Sequence, residues 1–463
     1  MASFQKGKRW HLLAIWLCLP TLSLFAQQKY TLPSLIDSAE HYLPLLQQKT
    51  AIIGATKAQV TDTKHSFLPQ LRVAEQLNIG SDNSLGGGYF PLGIVPSTSG
   101  GIRADNSFQP ATGNVAVLYG EYDLATFGLK KAQVDNAIAY TGLANADLQK
   151  EKYLLSLNIA RLYLNIQKSL YRLKADEQNV DRYQSIYTVI QALTLSGIKA
   201  GADSSLAKAE LSKTRIGYNQ TLGLINQQKQ QLAYLTGIPA ANLMFDTLVN
   251  KTVNTNLAIN FLAMDTLGNP LIDFYAKRNA IYNANERVIR KSYLPKILLA
   301  GSTWGRGSSI QYNDQYKGLQ EGLGYQRFNY MVGVAVTYNL FDELHKKDKL
   351  AINHFQQQAG DYELQQQKLA LASASLQADN ALQTTEANLR EIPVQLASAE
   401  ATYQQKVAQY KAGLISLIDL TNASFVLYRS QTDYIETRSD WYLAQLDKAA
   451  ATGNLNQFIQ TIK

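Results

Sequence analysis

One pattern of landmarks occurs twice along the sequence at a constant separation, and this limits the possible folds more than any other feature. In seven pairs of matching residues the second member lies 216 positions after the first: Tyr122 and Tyr338, Leu124 and Leu340, Lys131 and Lys347, Gly197 and Gly413, Asp203 and Asp419, Ala207 and Ala423, Gly237 and Gly453. Pro69 and Pro295 lie 226 apart, so the first copy carries ten more residues between its early landmarks. Such regularity indicates internal duplication, and the chain is expected to contain two structural repeats.

The first copy is dominated by Leu143–Ser196, a stretch that contains neither Gly nor Pro. Its apolar residues recur at steps of three and four, which places them on one face of an α-helix: Leu155, Ile159, Leu162, Ile166, Leu170 and Leu173. Extended back to Gly128, this helix would be roughly 105 Å long at about 1.5 Å per residue. A cytosolic coiled coil is the ordinary alternative, but here a strand-like segment leads into the helix.

Four segments alternate between apolar and other residues, as amphipathic strands do. They lie at 67–79, 113–124, 293–304 and 330–340. Val117 and Val334 are taken as positions on the apolar sides of their strands. Each repeat is therefore predicted to run helix, strand, loop, strand, long helix, turn, helix. Pro44 is expected to break or kink the first helix, and Pro393 to kink a later one or remove one hydrogen bond.

The first 26 residues have the pattern of a secretory signal peptide. Lys6, Lys8 and Arg9 precede an apolar run from Leu12 to Phe25, which is too short to span a membrane as a helix. A retained membrane anchor is the alternative. Cys18 is the only cysteine, so the mature chain is expected to have no cysteine.

Charge and motifs exclude several classes of function. The formal net charge is +8, and removal of the three basic residues of the signal peptide would leave +5 (8 − 3), without a clustered basic stripe of the kind that binds nucleic acid. None of the five histidines pairs with another His or a Cys at ligand spacing. No P-loop, nucleophile elbow or dinucleotide fingerprint is present. We therefore predict no catalytic residues, no metal site, no cofactor and no enzyme activity.

Four strands cannot close a barrel alone, and an open edge inside a membrane would leave backbone groups without hydrogen bonds. Three copies of the chain would supply twelve strands, an even number suited to an outer-membrane barrel. Aromatic residues near the strand ends, such as Tyr89, Phe90 and Trp304, fit an interfacial belt. The alternative is a soluble sheet with tyrosine-rich edges.

Several short motifs in two ordered copies resemble TolC-like outer-membrane efflux channels over nearly the whole mature chain. They are FLPQL and YLPKI at the odd strands, YDLATFG and YNLFDEL before the long helices, and SGIKAGADSSLAKAEL and KAGLISLIDLTNASF at the far turns. The resemblance implies an α+β membrane protein, a homotrimer whose twelve-stranded β-barrel (four strands per chain) continues into a long periplasmic α-helical barrel. The expected division is a signal peptide at 1–26, a first repeat at 27–240, a linker at 241–266 and a second repeat at 267–463, with the mature chain forming one integrated channel domain.

The same resemblance implies roles at the far turns. The residues expected at the periplasmic tip, in contact with an adaptor protein, are Gly197, Lys199, Gly201, Asp203, Gly413, Ile415 and Ser416. Asp419 and Asn422 are expected at the aperture. Asp203 and Asp419 could equally be helix caps or first-turn acids. Some family members have an acidic residue where this chain has Asn422 and an arginine where it has Ile415, so a reduced ionic network is expected at the aperture.

The function implied is a passive outer-membrane export duct of a Gram-negative bacterium, with a large periplasmic part. It would serve a tripartite efflux or type I secretion system. The expected partners are two further copies of the chain, a periplasmic adaptor, an inner-membrane pump of RND or ABC type and outer-membrane lipid, with no nucleic acid. Drugs, metals and proteins are all open as cargo. The alternative function is a periplasmic structural coiled-coil protein without a pore.

Overall fold

The computed structural model describes residues 30–84, 105–245 and 268–462. The predicted signal peptide, Cys18, Tyr89, Phe90 and residues 246–266 of the predicted linker lie outside this described part.

The described part is mainly helical and contains one sheet. The elements of the first repeat are α1 (Leu32–Tyr42), α2 (Pro44–His65), β1 (Gln70–Gly80), β2 (Ala111–Ala125), α3 (Leu129–Leu195) and α4 (Gly201–Thr236). Those of the second are α5 (Pro270–Ser292), β3 (Lys296–Ser308), β4 (Arg327–Thr337), α6 (Asp342–Lys411), α7 (Leu417–Thr452) and α8 (Leu455–Thr461). Helix α7 begins and ends 216 residues after the corresponding ends of α4, and α6 ends 216 residues after α3. The predicted order of elements is confirmed, while α8 was not foreseen.

The two prolines act differently. Leu43, between α1 and α2, has φ −68° and ψ 119°, an extended conformation that the following proline favours. The predicted break at Pro44 is therefore confirmed. Helix α6 continues through Pro393 over 70 residues, although this proline has no backbone N–H to donate.

The four strands form one antiparallel sheet in the order β1-β2-β3-β4. Because residues directly opposite each other share a face, the register defines two surfaces. The apolar face carries exposed large side chains: Leu71, Val73, Leu77, Ile79, Leu118, Phe328, Tyr330, Val332, Val334 and Val336. The polar face carries Gln70, Arg72, Gln76, Asn78, Glu121, Ser302, Arg306, Arg327 and Asn329. Within the described residues, the outer edges of β1 and β4 have no strand partner.

The register corrects one prediction about β2. Val117 lies opposite Ala74 and Trp304 and therefore belongs to the polar face, whereas Val334 lies opposite Leu299 on the apolar face. Val117 was assigned wrongly because alternation within one strand shows only which of its residues share a side. It does not show which of these two sides lies on the apolar face of the assembled sheet. The strand limits also differ: β3 continues to Ser308, and β4 ends at Thr337.

Apolar side chains of the helices pack into two clusters. The larger one joins α1, α2, α3, α4, α7 and α8, and its most buried members include Leu35, Ile159, Leu446 and Phe458. The second, here called the tip cluster, lies at the far end of the helices and consists of Tyr183, Ile186, Ile190, Ala207, Leu211, Tyr410, Leu417 and Leu420. None of the helices in the described ranges has the continuous apolar length that a membrane crossing requires.

Candidate functional site

The turns α3–α4 and α6–α7 have the same backbone geometry. Gly197 and Gly413 both have φ +73°, in the left-handed region that glycine adopts without steric cost. The Gly197 N–H donates to the carbonyl of Thr194 at 3.0 Å, and the Gly413 N–H donates to the carbonyl of Tyr410 at 3.0 Å. The two reversals therefore use glycine for the same physical reason at equivalent positions of the two repeats.

The helices that follow these turns begin differently. At the start of α7, the Ser416 hydroxyl accepts a hydrogen bond from the Asp419 N–H at 3.2 Å, and the Asp419 carboxylate accepts from the Ser416 N–H at 3.1 Å. This reciprocal pair is a capping box. Ala200 occupies the equivalent position before α4 and offers no side-chain cap. Of the two helices that follow the turns, only α7 therefore has side chains that cap its N-terminus.

The capping box also favours the ionised form of the Asp419 carboxyl. The Ser416 hydroxyl donates to the carboxylate at 2.6 Å. Together with the backbone N–H of the same serine, this bond lowers the pKa of Asp419 below its ordinary value. Asp419 is exposed and is a first-turn acid of α7, not its N-cap. Asn422, one turn further along, is also exposed.

The first turn contacts the second hairpin through Tyr410. The Lys199 ammonium nitrogen lies 5.6 Å from the centre of the Tyr410 ring, within the range of a cation–π contact. Burial raises the pKa of the Tyr410 phenol, and the charge of Asp203 raises it further. Asp203 is a half-buried residue in the first turn of α4. Lys199, Asp203 and Tyr410 therefore meet where the two hairpins end.

The remaining predicted tip residues have simpler surroundings. Gly201 begins α4, is exposed and has no neighbouring atom within 4 Å of an added Cβ, so its position does not require glycine. Ile415 is partly buried and packs against the tip cluster. An apolar side chain at this position contributes to packing and not to an ionic network.

Ion pairs connect the two repeats above the tip, along α3 and α7. Arg161 contacts Asp447 at 2.5 Å. Lys168 contacts Asp440 at 3.7 Å, and Arg172 contacts Glu436 at 3.5 Å. Each step of seven or four residues along α3 is matched by an equal step back along α7, as expected for antiparallel helices in regular contact. We call these three pairs the α3–α7 ladder.

Below the ladder, Asp176 connects three helices. This residue of α3 is 3% exposed. Its carboxylate accepts hydrogen bonds from Thr221 of α4 at 2.6 Å and from the Tyr428 phenol of α7 at 2.5 Å. Burial and the neighbouring carboxylate raise the pKa of Tyr428 to about 12. A buried carboxylate with two short donors holds both hairpins at one point.

The structure brings together residues that the sequence did not single out. Tyr410, Asp176 and Tyr428 were missed, and each departs from the repeat, because their equivalents are Thr194, Ile392 and Ser212. Most equivalent positions of the two repeats differ, however, so the sequence offered no signal that separates these three residues from the others. In the described part of the chain, no group of three His, Cys, Asp or Glu residues is arranged to hold a metal ion.

Comparisons with known proteins bear on the family and the fold of the chain. The family model described as "Outer membrane efflux protein" matches residues 35–238 and 268–454. The "Cation efflux system protein CusC" of Escherichia coli O157:H7 is 23% identical over 353 residues, which are 73% of this chain and 72% of that protein. The solved CmeC outer membrane channel of Campylobacter jejuni has a TM-score of 0.74 at 14% identity and covers 93% of this chain and 90% of its own. The VceC outer membrane protein of Vibrio cholerae has a TM-score of 0.72 at 16% identity, covering 91% and 96%.

Proposed function

The chain belongs to the outer membrane efflux protein family, and from this premise we propose that it is a passive export duct. It lies in the outer membrane of a Gram-negative bacterium, with its long helices in the periplasm. In this proposal the duct performs no chemistry, in keeping with a family described as efflux proteins.

The sheet is the observation that supports the duct most directly. In the part of the chain that the structure describes, it has one face of exposed apolar side chains, one polar face and two outer edges without strand partners. Open edges cannot persist in lipid, so β1 of one copy would pair with β4 of the next. Three copies then close a twelve-stranded barrel with the apolar face toward lipid and the polar face toward the lumen.

The helical end supports docking of a periplasmic adaptor. Its contact surface would be formed by Gly197, Lys199, Gly201, Asp203, Gly413, Ile415 and Ser416, which lie at or beside the two turns. An inner-membrane pump of RND or ABC type would supply the energy. Gly413→Asp should weaken adaptor binding, and Gly360→Asp, in α6 away from the turn, is unsuitable as a control because Asn279 crowds it. Gly128→Asp is the matched control, because Gly128 also has a positive φ of +87°, an added Cβ there meets its nearest neighbour at 3.8 Å, and the position lies away from the turns.

Asp419 and Asn422 are placed in this proposal at the aperture. Both are exposed on the first turns of α7. Three Asp419 carboxylates around a trimer axis would form a ring that favours cations.

Conductance across a planar lipid bilayer tests the proposal. The wild-type protein should insert as a stable, cation-preferring channel, and Asp419→Ala should reduce that preference. Asp62→Ala, which removes one exposed carboxylate from α2, should leave the preference unchanged.

The possible outcomes separate the two parts of the proposal. Insertion with identical selectivity in wild type and Asp419→Ala would leave the duct and remove Asp419 from the aperture. A folded protein that never inserts would contradict the duct and favour a periplasmic structural coiled coil.

A further inference from the structure

The connection between β3 and β4, residues 309–326, folds back over the outer end of the apolar face. That end of the sheet is the one remote from the helices. Thr112 and Asn114 lie there on the apolar face, and both are almost completely buried beneath the connection. We call residues 309–326 the β3–β4 loop.

The loop provides partners for polar side chains that interrupt the apolar face. The Thr112 hydroxyl donates to the Leu319 carbonyl at 2.5 Å, and the Asn114 amide donates to the Leu323 carbonyl at 2.7 Å. On the same face, the Glu75 carboxylate accepts a hydrogen bond from the Tyr325 phenol at 2.8 Å. Polar groups without partners would be costly beside lipid.

Glycines in β3 and in the loop make this close approach possible. Gly307 of β3 lies opposite Asn114 on the apolar face, and a Cβ added there would overlap the Gly324 carbonyl oxygen. A Cβ added at Gly322 of the loop would overlap the Thr112 hydroxyl. The backbone of the loop therefore rests directly on the backbone of the sheet.

The loop also satisfies much of its own backbone. The Ser309 and Gln315 carbonyls accept from the N–H groups of Lys317 and Gln311. The Gly318 and Gln320 carbonyls accept from Glu321 and Leu323, and the Glu321 carbonyl accepts from the Gln326 amide. Turns in water form such bonds as well, and beside lipid, where water cannot replace them, they become necessary.

The exposed surface of the loop is mixed, because large apolar and aromatic side chains stand beside the charged side chains of Asp314, Lys317 and Glu321. Leu319 and Leu323 remain 40% and 46% exposed after the loop has packed on the sheet. Tyr312 and Tyr316 are exposed beside them, and amphipathic rings of this kind sit at the level of lipid headgroups. The loop thus covers Thr112 and Asn114, leaves Glu75 exposed but hydrogen-bonded to Tyr325, and presents leucines and tyrosines among charged side chains, a combination that suits the membrane interface.

The position of the β3–β4 loop along the strands corresponds to the outer boundary of the bilayer. Gly307 lies eight residues along β3 from Leu299, the register partner of Val334. That distance is roughly 26 Å at about 3.3 Å per residue, or about 20 Å along the membrane normal for strands tilted by about 40°. The apolar band of an outer-membrane barrel is about 25 Å tall, so the loop reaches its outer margin.

We propose that the β3–β4 loop is a lipid-contacting element that lies against the outer leaflet and presents Leu319 and Leu323 to the headgroup–acyl boundary. This inference rests on the proposed membrane placement of the sheet. It adds a specific surface and its partner, lipid, to the duct.

Site-specific fluorescence quenching tests the inference. Because Cys18 is the only cysteine and lies in the predicted signal peptide, single-cysteine variants of the mature protein can be labelled uniquely with bimane. Leu323→Cys is compared with Val334→Cys on the apolar face and Asn329→Cys on the polar face. All are placed in phosphatidylcholine–phosphatidylglycerol vesicles with brominated lipid or with iodide as quencher. Brominated lipid should quench the label at 323 at least about twofold more than the label at 329, and iodide should show the reverse order.

The controls distinguish failure of this inference from failure of the duct. If brominated lipid quenches the label at 334 but not at 323, the loop does not contact lipid and the membrane placement stands. If it quenches neither, the membrane placement itself is wrong. A label at 323 shielded from both quenchers would lie against protein, which also overturns the lipid assignment.

A second variant tests whether the packing of the loop creates the contact. In the Leu323→Cys background, Gly307→Ala must displace the loop and should raise iodide quenching at least about twofold. Gly333→Ala, where an added Cβ has no atom within 4 Å, is the matched control. Unchanged quenching in Gly307→Ala would contradict the proposed fold-back.

Discussion

The Tyr428 phenol donates a 2.5 Å hydrogen bond to the Asp176 carboxylate and so joins α7 of the second repeat to α3 of the first. Thr221 of α4 donates to the other oxygen of the same carboxylate. This buried point lies between the α3–α7 ladder and the tip cluster, so it controls how firmly the two hairpins are held together.

Removing either partner should destabilise this seam. Tyr428→Phe leaves one carboxylate oxygen without its donor, and Asp176→Ala leaves two buried hydroxyls without an acceptor. Each should reduce the free energy of unfolding by about 1–3 kcal/mol. A double-mutant cycle by denaturant unfolding measures the coupling, with Tyr434→Phe on the same helix as control. Additive effects would contradict a direct interaction.

The raised pKa of Tyr428 predicts a loss of stability at alkaline pH. Its ordinary value is 10.0, and burial with Asp176 raises the pKa to about 12. Because the folded protein favours the protonated phenol, the contribution is complete below pH 10 and is lost as the pH rises toward about 12. The free energy of unfolding, measured from pH 10 to pH 12, should decrease with pH more steeply for wild type than for Tyr428→Phe. Equal slopes would count against the assignment.

The two helix starts offer a matched pair of substitutions. Ser416→Ala removes the capping box of α7 and should destabilise the helix start by about 1 kcal/mol. Ala200→Ser places the same residue three positions before Asp203, so α4 should gain a similar cap. Amide hydrogen exchange in the first turns of α4 and α7 checks both. Protection that changes in the same direction in both variants would refute the capping explanation.

The α3–α7 ladder should respond to charge reversal. Asp447→Arg places a like charge beside Arg161 and should destabilise the protein, while adding Arg161→Asp should restore the pair. Both side chains are nearly half exposed, so the pair should contribute only about 0.2–1 kcal/mol and less at high salt. Thermal unfolding of the single and double variants at low and high salt measures this. A double variant no more stable than the single one would contradict the pairing.

The sequence could predict those parts of the structure that depend on local chemistry. Gly197 and Gly413 were identifiable because a tight reversal needs positive φ, and the helices were identifiable because their apolar spacing is regular. Even so, β3 passes through Gly305 and Gly307 to Ser308, where glycines suggested a loop. Their small size is needed there because the β3–β4 loop packs on them.

The parts that could not be predicted depend on which elements meet. Asp176 and Tyr428 are 252 residues apart, and each looks like an ordinary helical residue in its own segment. Val117 was assigned to the wrong face because only the pairing of β2 with both neighbours relates its sides to theirs. Tyr410 was overlooked because its partner Lys199 belongs to the other hairpin.

The near-identity of the two turns has a consequence for stoichiometry. Three assembled chains would present six reversals with one backbone shape, alternating between an uncapped start at Ala200 and a capped start at Ser416. A partner that recognises only the backbone would find six equivalent places and bind with pseudo-sixfold symmetry. A partner that recognises the capping side chains would distinguish the alternate positions and bind three to a ring. The ratio of the two proteins in a purified complex would therefore report which kind of recognition operates.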